Sequence, residues 1–489
     1  MNRPTWLAIG LLLCSGATAG AADLDAADFV QRFGGPYWYA VHLQGQKAGY
    51  MRWQALCIDD GTGAHIRIEE YSKVAFVLDA GPQQIASRQT TDYDPGLRPR
   101  RIELWQNLMG RLSETTVEVG TDKLRITVTQ PDGTHTREAP IPDDFGSEVA
   151  VTLAAAAGDI GPGWRKQLSA FDPYIGLVTE YVVTFEGKEP SPQGELTLLH
   201  TRVEKLGMTI KTWLDADGII VRQSLNEIMG LELVRTTEDD ALTEISGPAF
   251  ASGISVGRPP RDPHKADRIA LLASAAGGNV TELIPTTRRQ RVVALPEGGA
   301  EVIVGIEPEP TQVGQLPLAD PEFAAYLQPN EMTQSDSEAI ASLARSIIGD
   351  ERNAWTCARL LLDWVHKHLR KVNSEPRPVS ALEVLQQGEG DCSEHALLLA
   401  ALAKAAGIPP RVVIGLVYTD GTYAYHEWNE LYVGQWVAMD PSWGRHTVGA
   451  GHIELAAGAA DPEAMLANHL AVGRTMGTLF LKFKPASIQ

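Results

Sequence analysis

Cys392, His426 and Asp440 follow one another along the chain, and they are the side chains that acyl transfer through sulfur requires. A thiol attacks a carbonyl carbon as thiolate, an imidazole within hydrogen-bond reach takes and returns its proton, and a carboxylate holds the imidazole in one tautomer. The cysteine lies in "GEGDCSEHALLLAALAKAAGI", residues 388–408. Gly388 and Gly390 break the preceding helical pattern, and Asp391-Cys392-Ser393-Glu394 fits a capping box with Asp391 as N-cap. Cys392 then opens a helix that is apolar nearly all round, a pattern that predicts burial. Gly407 suits the left-handed position after the last turn, and Pro409 and Pro410 bar continuation. At the start of a helix, unpaired N–H groups and the positive dipole end favour thiolate, while Asp391 opposes it.

The stretch "RVVIGLVYTDGTYAYHEWNELYVGQWVAMDPSWG" reads as three strands, 411–418, 423–433 and 436–440, joined at Asp420-Gly421 and Gly434-Gln435. A plain two-residue turn at Gly434-Gln435 pairs Asn429 with Asp440. Side chains alternate along a strand, so Asp440 would then face away from His426. A triad therefore predicts a three-residue loop or a bulge between Tyr432 and Trp436, which brings Asp440 diagonal to His426. A regular hairpin would exclude it.

The blocks "GDCSEHALLLAALAKAAGIPPRVVIG", "YHEWNELYV" and "QWVAMDPSWG" resemble the three signature blocks of the transglutaminase-like superfamily. The resemblance runs from residue 388 to 444 and extends back through helical patterns to about Ser335. It implies a papain-like α+β domain in which Cys392 is the nucleophile, His426 the general base and acid, and Asp440 the orienting residue. Animal transglutaminases carry Gln-Cys-Trp at the nucleophile, whereas Asp391 and Ser393 flank Cys392 here. Amide hydrolysis and transfer to an amine share one thioester, and both stay open, with a protein or peptide as substrate. The alternative is a retired enzyme acting as a binding or scaffold module. The Cys392 N–H is the expected oxyanion donor, with Gln386 and Gln387 as further candidates. Thiol acyl transfer calls for no cofactor.

Other residues near these blocks have plainer readings. His395 is a packing or capping neighbour of Asp391. Trp428, Trp436 and Trp443 read as core aromatics. His366, His368, His446 and His452 have no fixed spacing with a carboxylate and read as surface histidines, so no metal site is expected.

These elements sit in a chain of 489 residues, too long for one hydrophobic core. Hydrophobic residues make up 44% and charged residues 21%, and the net charge of −19 disfavours nucleic acid as a partner. The opening "MNRPTWLAIGLLLCSGATAGAADLD" reads as a signal peptide over 1–21, which predicts an exported protein, periplasmic or extracellular. No other segment is apolar for long enough to span a bilayer. Cleavage removes Cys14 and leaves Cys57, Cys357 and Cys392, an odd number for an oxidising compartment. Cys57 and Cys357 read as buried small hydrophobes.

The expected organisation is multidomain. Residues 22–247 form an antiparallel all-β domain, with turns in "KLRITVTQPDGTHTREA" and "IKTWLDADGIIVRQSL". The DxDG in the second lacks the following glutamate of a calcium loop and reads as a hairpin turn. This region resembles an incomplete antiparallel barrel over a helix. A Gly/Pro/Ser-rich linker follows at 248–265, then a small β region at 266–320. The transglutaminase-like domain occupies 321–489, its helices including "SDSEAIASLARSIIG", capped by Ser335 or Ser337, and "AWTCARLLLDWVHKHL".

Overall fold

The computed structural model describes residues 26–484 apart from 60, 62, 79–80, 131–132, 147–148, 173–175, 193, 204–205, 207, 226–229, 252, 260–261, 277, 319 and 373–379. The expected signal segment lies outside the described residues. The chain divides into two compact units, one ending at Phe250 and one beginning at Ala251.

In the first unit, alternating burial along the strands builds a 14-stranded antiparallel sheet. Eight strands from Tyr37–Leu43 to Gly133–Pro140 follow one another across it, and six from Arg165–Asp172 to Leu231–Thr236 complete it. The two runs join where Tyr37–Leu43 pairs with Leu231–Thr236, with Trp38 opposite Thr236 and His42 opposite Glu232. Met208–Leu214 and Ile220–Leu225 are the hairpin expected around DxDG. Asp215 closes its turn by accepting from the N–H groups of Asp217 and Ile219 at 3.0 and 2.9 Å, and pairs with Arg235. The helix Ala26–Phe33 packs Phe29 and Phe33 against Ala55, Ile66, Ile68 and Tyr93. The sheet also seals polar groups away. Glu70 is 5% exposed, and burial together with the nearby Asp172 pushes its carboxyl up to about 8.

Cys57 departs from its expected burial. It lies near the end of the strand Gln46–Asp59, on the same face as buried Ala55, yet it is exposed. Alternation determines which face a side chain takes, while the packing above that face decides whether it is covered. Cys357 is buried in the second unit as expected, and Cys57, Cys357 and Cys392 are all unpaired.

The second unit places helices Glu338–Ile348, Ala354–His368 and Ala381–Gln387 around a central helix, Cys392–Ala405, with a shared core that includes Leu361, Leu362, Leu398 and Leu402. Ser337 caps the first of these by accepting from the Ile340 N–H, while Glu338 pairs with Arg345. Beside the helices runs a sheet of Pro410–Thr419, Thr422–Tyr432, Trp436–Met439 and His452–Ala459. Gly253–Ser255, within the segment read as a linker, adds an edge strand by pairing with residues 422–424. The strands Arg268–Ala275, Gln290–Ala294 and Ala300–Gly305 share a separate sheet with Leu479–Phe483 near the chain's end. Among the described residues no helix is long and apolar enough to cross a membrane.

Candidate active site

The helix Cys392–Ala405 starts as its sequence dictates. The Asp391 side chain accepts from the Ser393 N–H at 2.8 Å, and Glu394 accepts from the Asp391 N–H at 2.6 Å, which completes the capping box. His395 donates from Nδ1 to the Asp391 carbonyl at 2.5 Å, so it serves the helix's first turn. Gly407 takes a φ of 77° beyond the last turn.

Cys392 is only 1% exposed. The Glu427 backbone N–H hydrogen-bonds its sulfur, which sets the sulfur beside the strand segment that carries His426. Burial pushes the thiol well above its ordinary value, and the charges of Asp391, Glu427 and Glu394 push it further, against that one hydrogen bond. Desolvation and three carboxylates thus oppose the thiolate preference expected from the helix dipole.

His426 lies opposite Gly415 of the strand Pro410–Thr419. A Cβ at Gly415 would stand 2.1 Å from the Ile453 carbonyl oxygen and 2.6 Å from the Trp428 ring, so only glycine allows the strands to close here. The next hairpin settles the position of Asp440. Tyr432 pairs with Trp436 and Asn429 with Met439, leaving the three-residue loop Val433-Gly434-Gln435. This is the one-residue shift that a triad requires, and it brings Asp440 to His426. His426 donates from Nε2 to Asp440 Oδ2 at 2.7 Å, with the two residues 4% and 0% exposed.

Asp440 is held on every side. Its Oδ1 accepts from Ser442 Oγ at 3.0 Å and from the Trp443 N–H at 3.1 Å. Its backbone exchanges hydrogen bonds with Arg445 in both directions. Its Oδ2 accepts a second donor, His452 Nε2, at 3.2 Å. Burial alone would raise the carboxyl, but the charge of His426 and the hydrogen bonds from both histidines hold it well below the usual carboxylate range.

His452 corrects its reading as a surface residue, since it is 0% exposed. It opens the strand His452–Ala459, and burial pushes its imidazole down to about 4 despite the carboxylate beside it. The available signal was a polar residue at the head of an apolar strand segment. The other three histidines of that group fit the reading better. His446 pairs with Asp363 at 2.8 Å, His368 stacks on Trp364, and exposed His366 bonds the Pro441 carbonyl. Gln386 and Gln387 are exposed, and the Gln387 amide is engaged by Glu383. Trp428 is core as expected, whereas Trp436 joins Phe323, Tyr326 and Tyr432 beneath Arg411, and Trp443 is half-buried.

The donor atoms of His426, Asp440 and His452 lie within 4.8 Å of one another, a spacing that would also suit a cation. Their 2.7 and 3.2 Å separations are hydrogen-bond lengths and need an N–H on each Nε2. A cation would force the His452 proton to Nδ1, which is buried without a partner among the described residues. The residues fit hydrogen bonding better than coordination.

A cleft of about 430 Å³ opens beside these groups, lined by Arg258, His264, Tyr418, Asp420 and Trp443 among others. The Trp443 ring lies 4.9 Å from that of His264 and 5.9 Å from that of His426. A buried cysteine thus opens a helix beside the strand segment that carries a histidine tied to a carboxylate. Residues 341–441 match the transglutaminase-like superfamily, and Cys392, His426 and Asp440 all fall within the match. The C-terminal unit thus holds a transglutaminase-like domain. No curated protein matches the sequence. Among solved structures, the chain is similar to a candidate cysteine protease from Cytophaga hutchinsonii, at 15% identity and a TM-score of 0.33, over 48% of this chain and 89% of that one. A beta-barrel-like protein, a domain of unknown function from Brucella abortus, aligns at 12% identity and a TM-score of 0.31 over 42% and 97%. A candidate protease from Parabacteroides distasonis aligns at 12% identity and a TM-score of 0.20 over 78% and 70%.

Proposed function

We propose that Cys392, His426 and Asp440 form the triad of an exported thiol enzyme acting on amide bonds of a protein or peptide. The observation that carries this reading is the 2.7 Å His426–Asp440 bond, made possible by a three-residue loop. A carboxylate on Nε2 leaves His426 Nδ1 as the bare nitrogen that takes the thiol proton. Cys392 rests protonated, so His426 acts as general base during attack rather than as half of a standing ion pair. Sulfur bonds to the carbonyl carbon, the C–N bond breaks, and His426 returns the proton to the departing ammonia or amine. Water or a second amine then attacks the thioester, and the thiol is regenerated. The Cys392 N–H, at the first helical position, is an oxyanion donor because no carbonyl within the helix accepts from it. The cleft beside Trp443 admits the substrate. Export follows from the signal peptide read over residues 1–21.

The test is the rate of Cys392 alkylation by iodoacetamide between pH 5 and 9, and of peptide-amide turnover read by mass. Asp440→Asn lowers both by roughly 10²- to 10⁴-fold, the usual range for loss of an orienting carboxylate. Equal rates in Asp440→Asn, His426→Ala and the parent would overturn the triad. The 1% exposure and raised thiol also favour a second reading, a retired site in a binding module. Slow alkylation that follows an ordinary thiol titration, with no turnover, would select it.

A further inference from the structure

The geometry points to His452 as a positioning residue for the thiol site: it donates Nε2–H to the Asp440 oxygen that receives His426, fixes the tautomer of both rings, and divides the carboxylate's charge between them. This inference rests on the triad reading.

Two imidazoles meet Asp440 Oδ2, at 2.7 and 3.2 Å, and an ionised carboxylate only accepts, so both nitrogens must donate. The second contact is not incidental. Arg289, itself 8% exposed, donates to the His452 carbonyl at 3.1 Å and pins the backbone that presents the ring. The Trp428 ring lies edge-on to His452 with centroids 5.2 Å apart, and Trp443 and His264 pack against it as well. Its Nδ1 faces no partner among the described residues. A bare ring nitrogen tolerates that setting better than an N–H would, so the packing selects the tautomer that serves Asp440.

The role follows from sharing. With Ser442 and Trp443 on Oδ1, the two histidines bring the donors on this carboxylate to four. Each added donor lowers the carboxylate's basicity and so its grip on a protonated His426. A carboxylate serving His426 alone would hold the imidazolium more tightly and make His426 a slower proton donor to the leaving amine. The ionisable groups around this centre are Cys392 and Glu427 beside His426, Asp440 between the rings, and His264, His395, Lys371 and Arg445 at its margin. His452 stands apart from these as a neutral donor aimed at Asp440, which makes its effect separable from that of the charges.

Histidine side-chain NMR on the full chain tests this. In the parent protein, His452 carries its proton on Nε2 and does not titrate between pH 5 and 9. In His452→Leu the pH midpoint of Cys392 alkylation moves upward by about one unit. His452→Gln, which keeps an N–H donor, returns the midpoint to near the parent value. A proton on His452 Nδ1, or titration of His452 above pH 6, would overturn the inference without any variant. An unmoved alkylation midpoint in a folded but less stable His452→Leu protein would reduce the residue to packing. His426→Ala in the same alkylation assay separates the two levels. If it has no effect, the triad reading falls and this inference with it; if it acts while His452→Leu does not, only this inference falls.

Discussion

Glu70 in the N-terminal unit and Asp440 in the C-terminal unit are both carboxyl groups sealed from solvent, at 5% and 0% exposure, yet they are displaced in opposite directions. Burial raises both. Glu70 has the further negative charge of Asp172 nearby, and its carboxyl climbs to about 8. Asp440 meets two imidazoles, a hydroxyl and a backbone N–H, and falls well below the usual range. Low dielectric amplifies whatever partner stands nearby, so burial by itself does not set the sign. A carboxylate made permanently ionic by its donors can orient a base. One kept protonated by isolation cannot.

The largest effect expected from testing this contrast comes from deleting Gln435. The deletion restores a two-residue turn, turns Asp440 to the other face of its strand, and parts it from both histidines. Cys392 alkylation should fall on the order of 10³-fold, and restoring one glycine to the loop should recover most of it. A deletion protein that is folded and fully reactive would show that the carboxylate is dispensable.

Next in size is Glu70→Gln. The unfolded carboxyl ionises near the ordinary 4.5 and the folded one near 8, so the native state holds a proton that the unfolded state has released. Stability must therefore fall as pH rises from 4.5 to 8 and level off beyond. The amide removes this penalty. Glu70→Gln should stabilise the protein by on the order of 4 kcal/mol at pH 8 and by almost nothing at pH 4, measured by denaturant melts. A gain that does not depend on pH would assign the effect to packing.

The smallest effect is a control within the second unit. Ser337→Ala removes the cap of Glu338–Ile348 and should cost about 1 kcal/mol. Cys392 alkylation should be unchanged, since no carboxylate of the site is touched. A matching loss of reactivity would mean that general stability, rather than the partners of Asp440, governs the thiol.

Much of the site was legible because its determinants are local. The Asp391–Glu394 capping box, the buried helix behind Cys392 and its glycine stop all depend on residues within a few positions of one another. The three strands after it were legible from alternation and turn residues, and the need for an irregular loop followed from counting faces. His452 was not legible. Its partner is chosen by the pairing of His452–Ala459 with Pro410–Thr419, where Val417 stands opposite it. The seam inside the N-terminal sheet, between its first and last strands in chain order, was hidden for the same reason.

The sequence by itself determined the elements, the order of Cys392, His426 and Asp440, and the faces on which side chains stand, because propensity, capping and alternation act between near neighbours. Only the tertiary structure decided that Cys57 is exposed, that burial and nearby carboxylates push the Cys392 thiol upward, and that Asp440 answers to two histidines. Those outcomes depend on desolvation and charge summed over groups distant along the chain, and no local pattern carries that sum.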